Sequence, residues 1–257
     1  MRVVVLPTSA EVGEAAAAEI AAVVTERPDA VLGLATGDSP LGAYAALGRR
    51  VERDGLDLSR ARGFALDEYV GLDPSDPQSY NAVIDRTVTT PLRMRAGAVR
   101  VPAGAAADLD AAADAYERAI EESGVDIQIL GIGANGHIGF NEPGSAFTTR
   151  TRVVALSERT RLDNARFFAT PSDVPTHALT QGLATIMRAR RIVLVALGER
   201  KAEAVRAAVE GRPSAACPAS VLQDHPDALL VVDEAAASRI AVSSSAVNRF
   251  PRLLARR

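Results

Sequence analysis

The sequence predicts an α/β fold: a single-domain, Rossmann-like open and mostly parallel sheet, with helices on both faces and a lid segment at about 157–180. Three observations carry this expectation. Short apolar runs alternate with stretches of helical periodicity almost throughout the chain, as βα units do. The runs are apolar at successive positions rather than at every second one, as in strands covered on both faces. The polar residues that could carry chemistry fall just after the runs, where open parallel sheets bind ligands.

Arg2–Leu6 is read as the first strand. Thr8 and Glu11 form a capping-box pattern ahead of a helix whose apolar face is Val12, Ala16, Ile20 and Val23. Ala30–Ala35 is a second strand and Pro40–Val51 a helix. Gly63–Leu66 is a third strand. Asp108–Ser123 is a helix with Leu109, Ala112, Tyr116 and Ile120 on its buried stripe. Ile127–Leu130, Ile192–Leu197 and Ala228–Val232 are further strands, and Glu199–Glu210 is a helix. No repeat or linker divides residues 1–257. The mixed stretch of Arg, Phe, Pro and Thr at 157–180 reads equally as a mobile lid or as a surface helix and its connection. The terminal Arg249, Arg252, Arg256 and Arg257 read as a solvated tail.

Composition narrows the function. A net charge of −3 gives no global basic field for nucleic acid or an anionic membrane, so an anionic ligand must meet local donors. No apolar run approaches the ~18 residues of a membrane span, and the start of the sequence has no signal-peptide pattern. The expected compartment is the cytoplasm. The single cysteine, Cys217, forms no internal disulfide, and no His/Cys/Asp cluster has metal-ligand spacing, so no metal is expected. Lysine and arginine total 29, yet Lys201 is the only lysine. A lysine surviving in so arginine-rich a chain marks a close-contact site or a chance position on a helix face.

Reading past each strand locates the candidate site. Thr36-Gly37-Asp38-Ser39-Pro40 follows the second strand, with Ser39 as N-cap and Pro40 opening the helix. Free N–H groups and the positive dipole end there suit a phosphate, and Asp38 should turn its carboxylate away. Asp67 and Glu68 follow the third strand, and desolvation there would raise the pKa of Asp67 toward that of a useful base. Residues 131–144 form a glycine-rich turn holding Asn135, His137 and Glu142, the layout of an acid–base site. Gly131-x-Gly133-x-x-Gly136 also matches the dinucleotide fingerprint, but that needs a helix directly after it, and Gly139, Pro143 and Gly144 forbid one. Lys201 stands at a helix start after Ile192–Leu197. His177 and His225 lack such company and are read as structural or surface residues.

Three segments carry a family resemblance. Leu66-Asp67-Glu68-Tyr69-Val70-Gly71, Gly136-His137-Ile138-Gly139-Phe140-Asn141-Glu142-Pro143 and Asn164-Ala165-Arg166-Phe167-Phe168 resemble glucosamine-6-phosphate deaminases. The likeness runs from the Thr36 turn to Cys217-Pro218-Ala219-Ser220. Related 6-phosphogluconolactonases typically carry Ser-Leu-Phe-Pro in place of Phe140-Asn141-Glu142-Pro143. The resemblance implies that Asp67 moves a proton from C2 to C1 of the open-chain amino sugar. It implies that His137 opens the ring, with Asn135 and Glu142 holding and tuning the imidazole. It places Thr36, Gly37, Asp38, Ser39, Arg166 and Lys201 around the 6-phosphate and requires no cofactor.

Two departures from the family qualify it. Some members carry Asp at Asn135; an amide cannot relay a proton, so Asn135 should orient and Glu142 becomes the main partner of His137. Ser145 and Arg152 of an allosteric anion set are present, but Val154 stands where allosteric members carry lysine. The implied partner is a small-molecule sugar phosphate, with no nucleic acid or membrane, and a homo-oligomer is compatible. A sugar-phosphate lactonase is an alternative. So is a non-catalytic sugar-phosphate sensor, although the strand at Arg2 leaves no helix-turn-helix ahead of it in this sequence.

Overall fold

In the computed structural model, which describes residues 1–241 and 247–249, the apolar runs become strands and the periodic stretches become helices. The first part of the chain forms β1 (Arg2–Leu6), α1 (Ser9–Glu26), β2 (Val31–Leu34), α2 (Asp38–Arg53), β3 (Arg62–Ala65) and β4 (Asp67–Tyr69). Next come α3 (Tyr80–Ile84), which runs into a π-helical turn at Asp85–Thr89, β5 (Val99–Arg100), α4 (Leu109–Ser123) and β6 (Ile127–Gly131). The remainder forms β7 (Arg152–Ala155), α5 (Glu158–Asn164), β8 (His177–Thr180), α6 (Leu183–Ile186), β9 (Arg191–Ala196), α7 (Ala202–Glu210), β10 (Ala228–Asp233) and β11 (Val247–Arg249).

The main sheet has the order β11-β1-β10-β9-β6-β2-β3-β5, and every pairing in it is parallel. Alternate residues of its central strands feed opposite cores. Ile127, Ile129, Val193 and Val195 pack with α1 and α2, through residues such as Val12, Ile20 and Leu47. Leu130, Ile192 and Leu194 pack with α4 and α7, through Tyr116, Ile120 and Val205. Helices therefore cover both faces, as expected.

Some helix details differ from the periodicity reading. The capping box at Thr8 and Glu11 is formed, but α1 buries Val24 and leaves Val23 half-exposed, one step round the helix. In α4 the buried set is Ala113, Tyr116, Glu117, Ala119 and Ile120, with Leu109 and Ala112 only partly covered. The stripe shifts because Glu117, though charged, is drawn inside by Thr151, Thr185, Arg150 and Arg188.

A second sheet, β4-β8-β7, is antiparallel and has no counterpart in the sequence reading. The chain changes sheets at Leu66. Its N–H bonds Leu34 O of the main sheet at 2.9 Å, and its carbonyl accepts from Gln181 N, beside the small sheet, at 2.8 Å. Because β8 spans His177–Thr180, the lid segment ends before it; residues 157–176 hold α5 and two short 3₁₀ turns. Of the terminal arginines only the Arg249 backbone, in β11, is described; the other three lie outside the described residues. Among the described residues no helix is long and apolar enough to cross a membrane.

Candidate active site

At β2 and β6 the chain turns toward opposite edges of the sheet, so the strand ends there open into a crevice. A cavity of about 530 Å³ fills it. Its walls include Thr36, Gly37, Asp38 and Ser39 after β2, Asp67 of β4, His137, Arg166 and Lys201. Residues from all four strand ends thus line one space, while Glu68, Asn135 and Glu142 are not among its walls.

At the anion end, α2 begins at Asp38 with Gly37 as its N-cap, not at Ser39. Gly37 has φ +87°, a left-handed turn that suits glycine and lets the helix start early. No side chain caps this helix, which leaves its first N–H groups without a capping partner, and Gly37, Asp38 and Ser39 line the cavity. Asp38 does not turn away as expected: Arg166 reaches across from the segment after α5 and holds its carboxylate at 2.6 Å. Lys201 is half-buried, and among the described residues no carboxylate lies within ion-pair distance of it. Burial, then the neighbouring Arg200 charge, lowers its pKa.

Asp67 is 5% exposed. Burial, and secondarily the charge of Glu68, raise its pKa to about 8, against a hydrogen bond from Thr180 that lowers it. Glu68, adjacent on the strand, is buried in a different setting. Its carboxylate accepts from the N–H groups of Tyr69 at 2.8 Å, Tyr80 at 2.9 Å and Asn81 at 2.9 Å, and so anchors the start of α3.

The loop after β6 places the imidazole. Gly133 N–H bonds His137 O at 2.9 Å, and Gly136 N–H bonds Gly133 O at 3.0 Å, closing a tight turn. A Cβ on Gly133 would lie 2.3 Å from the His137 ring, so the missing side chain makes the space in which the ring rests. No helix follows this turn, which removes the dinucleotide reading. His137 Nδ1 lies 3.7 Å from Glu142 Oε2, an ion-pair approach longer than a hydrogen bond. Asn135 bridges the two: its amide donates to Glu142 Oε2 at 2.7 Å and its carbonyl accepts from the His137 N–H at 3.2 Å. Asn135 is thus bonded to the carboxylate and to the backbone rather than to the ring. Burial opposes ionisation of Glu142, yet hydrogen bonds and the nearby imidazole hold its pKa down to about 2.

Sequence reasoning missed other wall residues: Tyr80, Arg86 and Thr87 from α3 and the π-helical turn, and Phe168. Tyr69, Tyr80 and Phe140 form an aromatic group beside Asp67, with Tyr69 and Tyr80 centroids 4.8 Å apart. His177 is exposed, whereas His225 is buried and bonds Ala189 O at 2.8 Å, a structural role. Arg152, from the anion set of allosteric members, donates to Asn141 Oδ1 at 2.9 Å. Among the described residues no group of three or more His, Cys, Asp and Glu side chains is arranged to hold a metal.

The family model described as glucosamine-6-phosphate isomerases/6-phosphogluconolactonase matches residues 7–231. A glucosamine-6-phosphate deaminase of Arthrobacter sp. (strain FB24) is 57% identical over 241 residues, covering 93% of each chain. One from Mycolicibacterium smegmatis is 52% identical over 242 residues, again covering 93% of each. The solved structure of a monomeric glucosamine-6-phosphate deaminase aligns with a TM-score of 0.91 at 44% identity, covering 93% of this chain and 99% of that one. A 6-phosphogluconolactonase from Trypanosoma brucei aligns at 0.74 with 20% identity, covering 93% of this chain and 98% of that one, and shares the fold. With the matched region reaching from before the Thr36 turn into β10, this chain belongs to the glucosamine-6-phosphate deaminase family.

Proposed function

We infer that the chain converts glucosamine 6-phosphate and water to fructose 6-phosphate and ammonia, an aldose–ketose isomerisation with deamination in amino-sugar catabolism. One observation carries the reading: a desolvated carboxylate, Asp67, and an imidazole, His137, open into the same cavity, and the uncapped start of α2, Arg166 and Lys201 supply anion donors there. The N–H groups after Gly37, with Thr36, Ser39, Arg166 and Lys201, hold the phosphate. Asp38 is the counter-ion of Arg166.

His137 opens the pyranose by moving a proton from the anomeric hydroxyl to the ring oxygen, with Glu142 stabilising the imidazolium form. Asp67 then removes the C2 proton, which is made acidic by the C1 aldehyde, and gives an enolamine. The same carboxyl returns the proton to C1, leaving an imine at C2. Water adds to that carbon and ammonia departs. A carboxylate whose basicity is raised by burial suits abstraction from carbon. The reaction consumes no external oxidant or reductant, so the side chains present suffice. A sugar phosphate as substrate supports a cytoplasmic location for the chain.

A lactonase, the second reading on this fold, hydrolyses an ester and has no use for a buried base at C2. The test is to supply glucosamine 6-phosphate and measure ammonia and fructose 6-phosphate together. Equimolar appearance of both is expected. Sugar turnover without ammonia, or no turnover at all, would overturn the reading.

A further inference from the structure

Helix α5 is anchored in an unusual way. Thr160 is the only residue it buries, at 4% exposure, while Leu162 is 58% exposed. An amphipathic helix ordinarily docks through an apolar stripe. The first turn of this one docks through a hydroxyl, and the group that hydroxyl meets is the carboxylate of Glu142; at its other end Asn164 donates to Tyr69 Oη at 3.0 Å.

The two oxygens of Glu142 have different partners. Oε2 faces the β6 loop, accepting from Asn135 at 2.7 Å and lying 3.7 Å from His137 Nδ1. Oε1 faces α5, accepting from Thr160 Oγ1 and lying 3.1 Å from Ser157 Oγ. Ser157 is also the N-cap of α5, accepting from Thr160 N at 3.1 Å. The contact that seats the first turn of the helix is therefore also a contact that fixes the carboxylate.

We propose that Thr160 is a positioning residue: its hydroxyl holds Glu142 turned toward the His137 ring, so the acid–base pair is complete only while the first turn of α5 is seated. The proposal rests on the reading of His137 and Glu142 as the ring-opening pair. It makes docking of the segment after β7 and assembly of that pair one event. Arg166, which follows α5 on the same segment, brings a phosphate donor into place with it.

Thr160→Val keeps the side-chain shape and removes the donor. With glucosamine 6-phosphate, kcat should fall about tenfold to a hundredfold, the scale of a misaligned acid–base group, with KM within about twofold. With an analogue lacking the 5-hydroxyl, which cannot close the pyranose ring, the loss should be under about twofold. Thr160→Ser, which restores a hydroxyl, should recover most of the rate. Equal losses on both substrates, a change confined to KM, or no rescue by serine would overturn the proposal. If the valine variant does not fold, Thr160→Ala is read in the same way. His137→Gln measured alongside separates the two claims. If it loses equally on both substrates, the ring-opening reading itself falls. If it discriminates between them and Thr160→Val does not, only the role of Thr160 falls.

Discussion

Asp67 and Glu68 are neighbours on one strand; burial raises the pKa of both, but only Glu68 is met by three backbone N–H groups. Successive side chains of a strand leave on opposite faces. Asp67 lines the cavity, and burial lifts its pKa to about 8. Glu68 meets three backbone N–H groups and ties β4 to the start of α3. Two acids that look interchangeable in sequence thus have different places: one lines the cavity and the other anchors α3.

The base is tested by exchange. Asp67→Asn should abolish exchange of the C2 proton with solvent deuterium while leaving substrate affinity within about tenfold, since it removes the base rather than the binding donors. Retained exchange would remove Asp67 from the reaction.

Its raised pKa also sets two pH dependences. As a base it must be ionised, so kcat/KM should climb with pH and level off above about 8. For stability the sign is the reverse. Between the ordinary aspartate pKa and about 8 the unfolded chain has released the proton and the folded chain still holds it, so stability falls as pH rises through that window and is flat above it. Asp67→Asn should therefore melt above wild type at pH 8 and approach it near pH 4, measured by thermal unfolding across pH. A constant offset would contradict the assignment.

The anchor is tested by stability. Glu68→Gln weakens the acceptor for three backbone N–H groups and should cost about 1–3 kcal/mol in denaturant unfolding. Its effect on exchange at C2 should be small beside that of Asp67→Asn.

Lys201 is tested by two substitutions. If it is a point-charge phosphate ligand, Lys201→Ala should weaken sugar-phosphate binding by about 1.5–3 kcal/mol, with little change for the unphosphorylated sugar. Lys201→Arg keeps the charge but is larger and directs its donors differently, so it too should bind more weakly. Wild-type affinity in the arginine variant would make the lone lysine an accident of composition.

How much could be read in advance depends on what each element buries. β1, β2, β6, β9 and β10 were legible because strands covered on both faces are apolar at successive positions. The small sheet was not: β4 is Asp-Glu-Tyr, three buried residues kept for chemistry and anchoring, and β7 is only partly covered. Asp67, His137 and the Gly37 turn were legible from their place after strands. The reach of Arg166 to Asp38 was not, because it joins segments remote in sequence. Tyr80, Arg86 and Thr87 follow no main-sheet strand, and their neighbourhood shows no periodicity long enough to flag. Thr160 was invisible for a similar reason: its partner is a carboxylate on another loop.

The change of sheets at Leu66 has a consequence for the order of events in folding. In the small sheet β4 bonds to β8, which is synthesised far later, after β6 and β7. The pairing of β2 with β3 and with β6 needs none of that later chain. A nascent chain can thus complete these parts of the main sheet while Asp67 is still in water, titrating as an ordinary surface acid. The residue is present from early in synthesis, but its strand partner Thr180 arrives only with β8. A chain halted before His177 would carry Asp67 in its sequence and lack the strand that pairs with it and the Thr180 hydroxyl that bonds it.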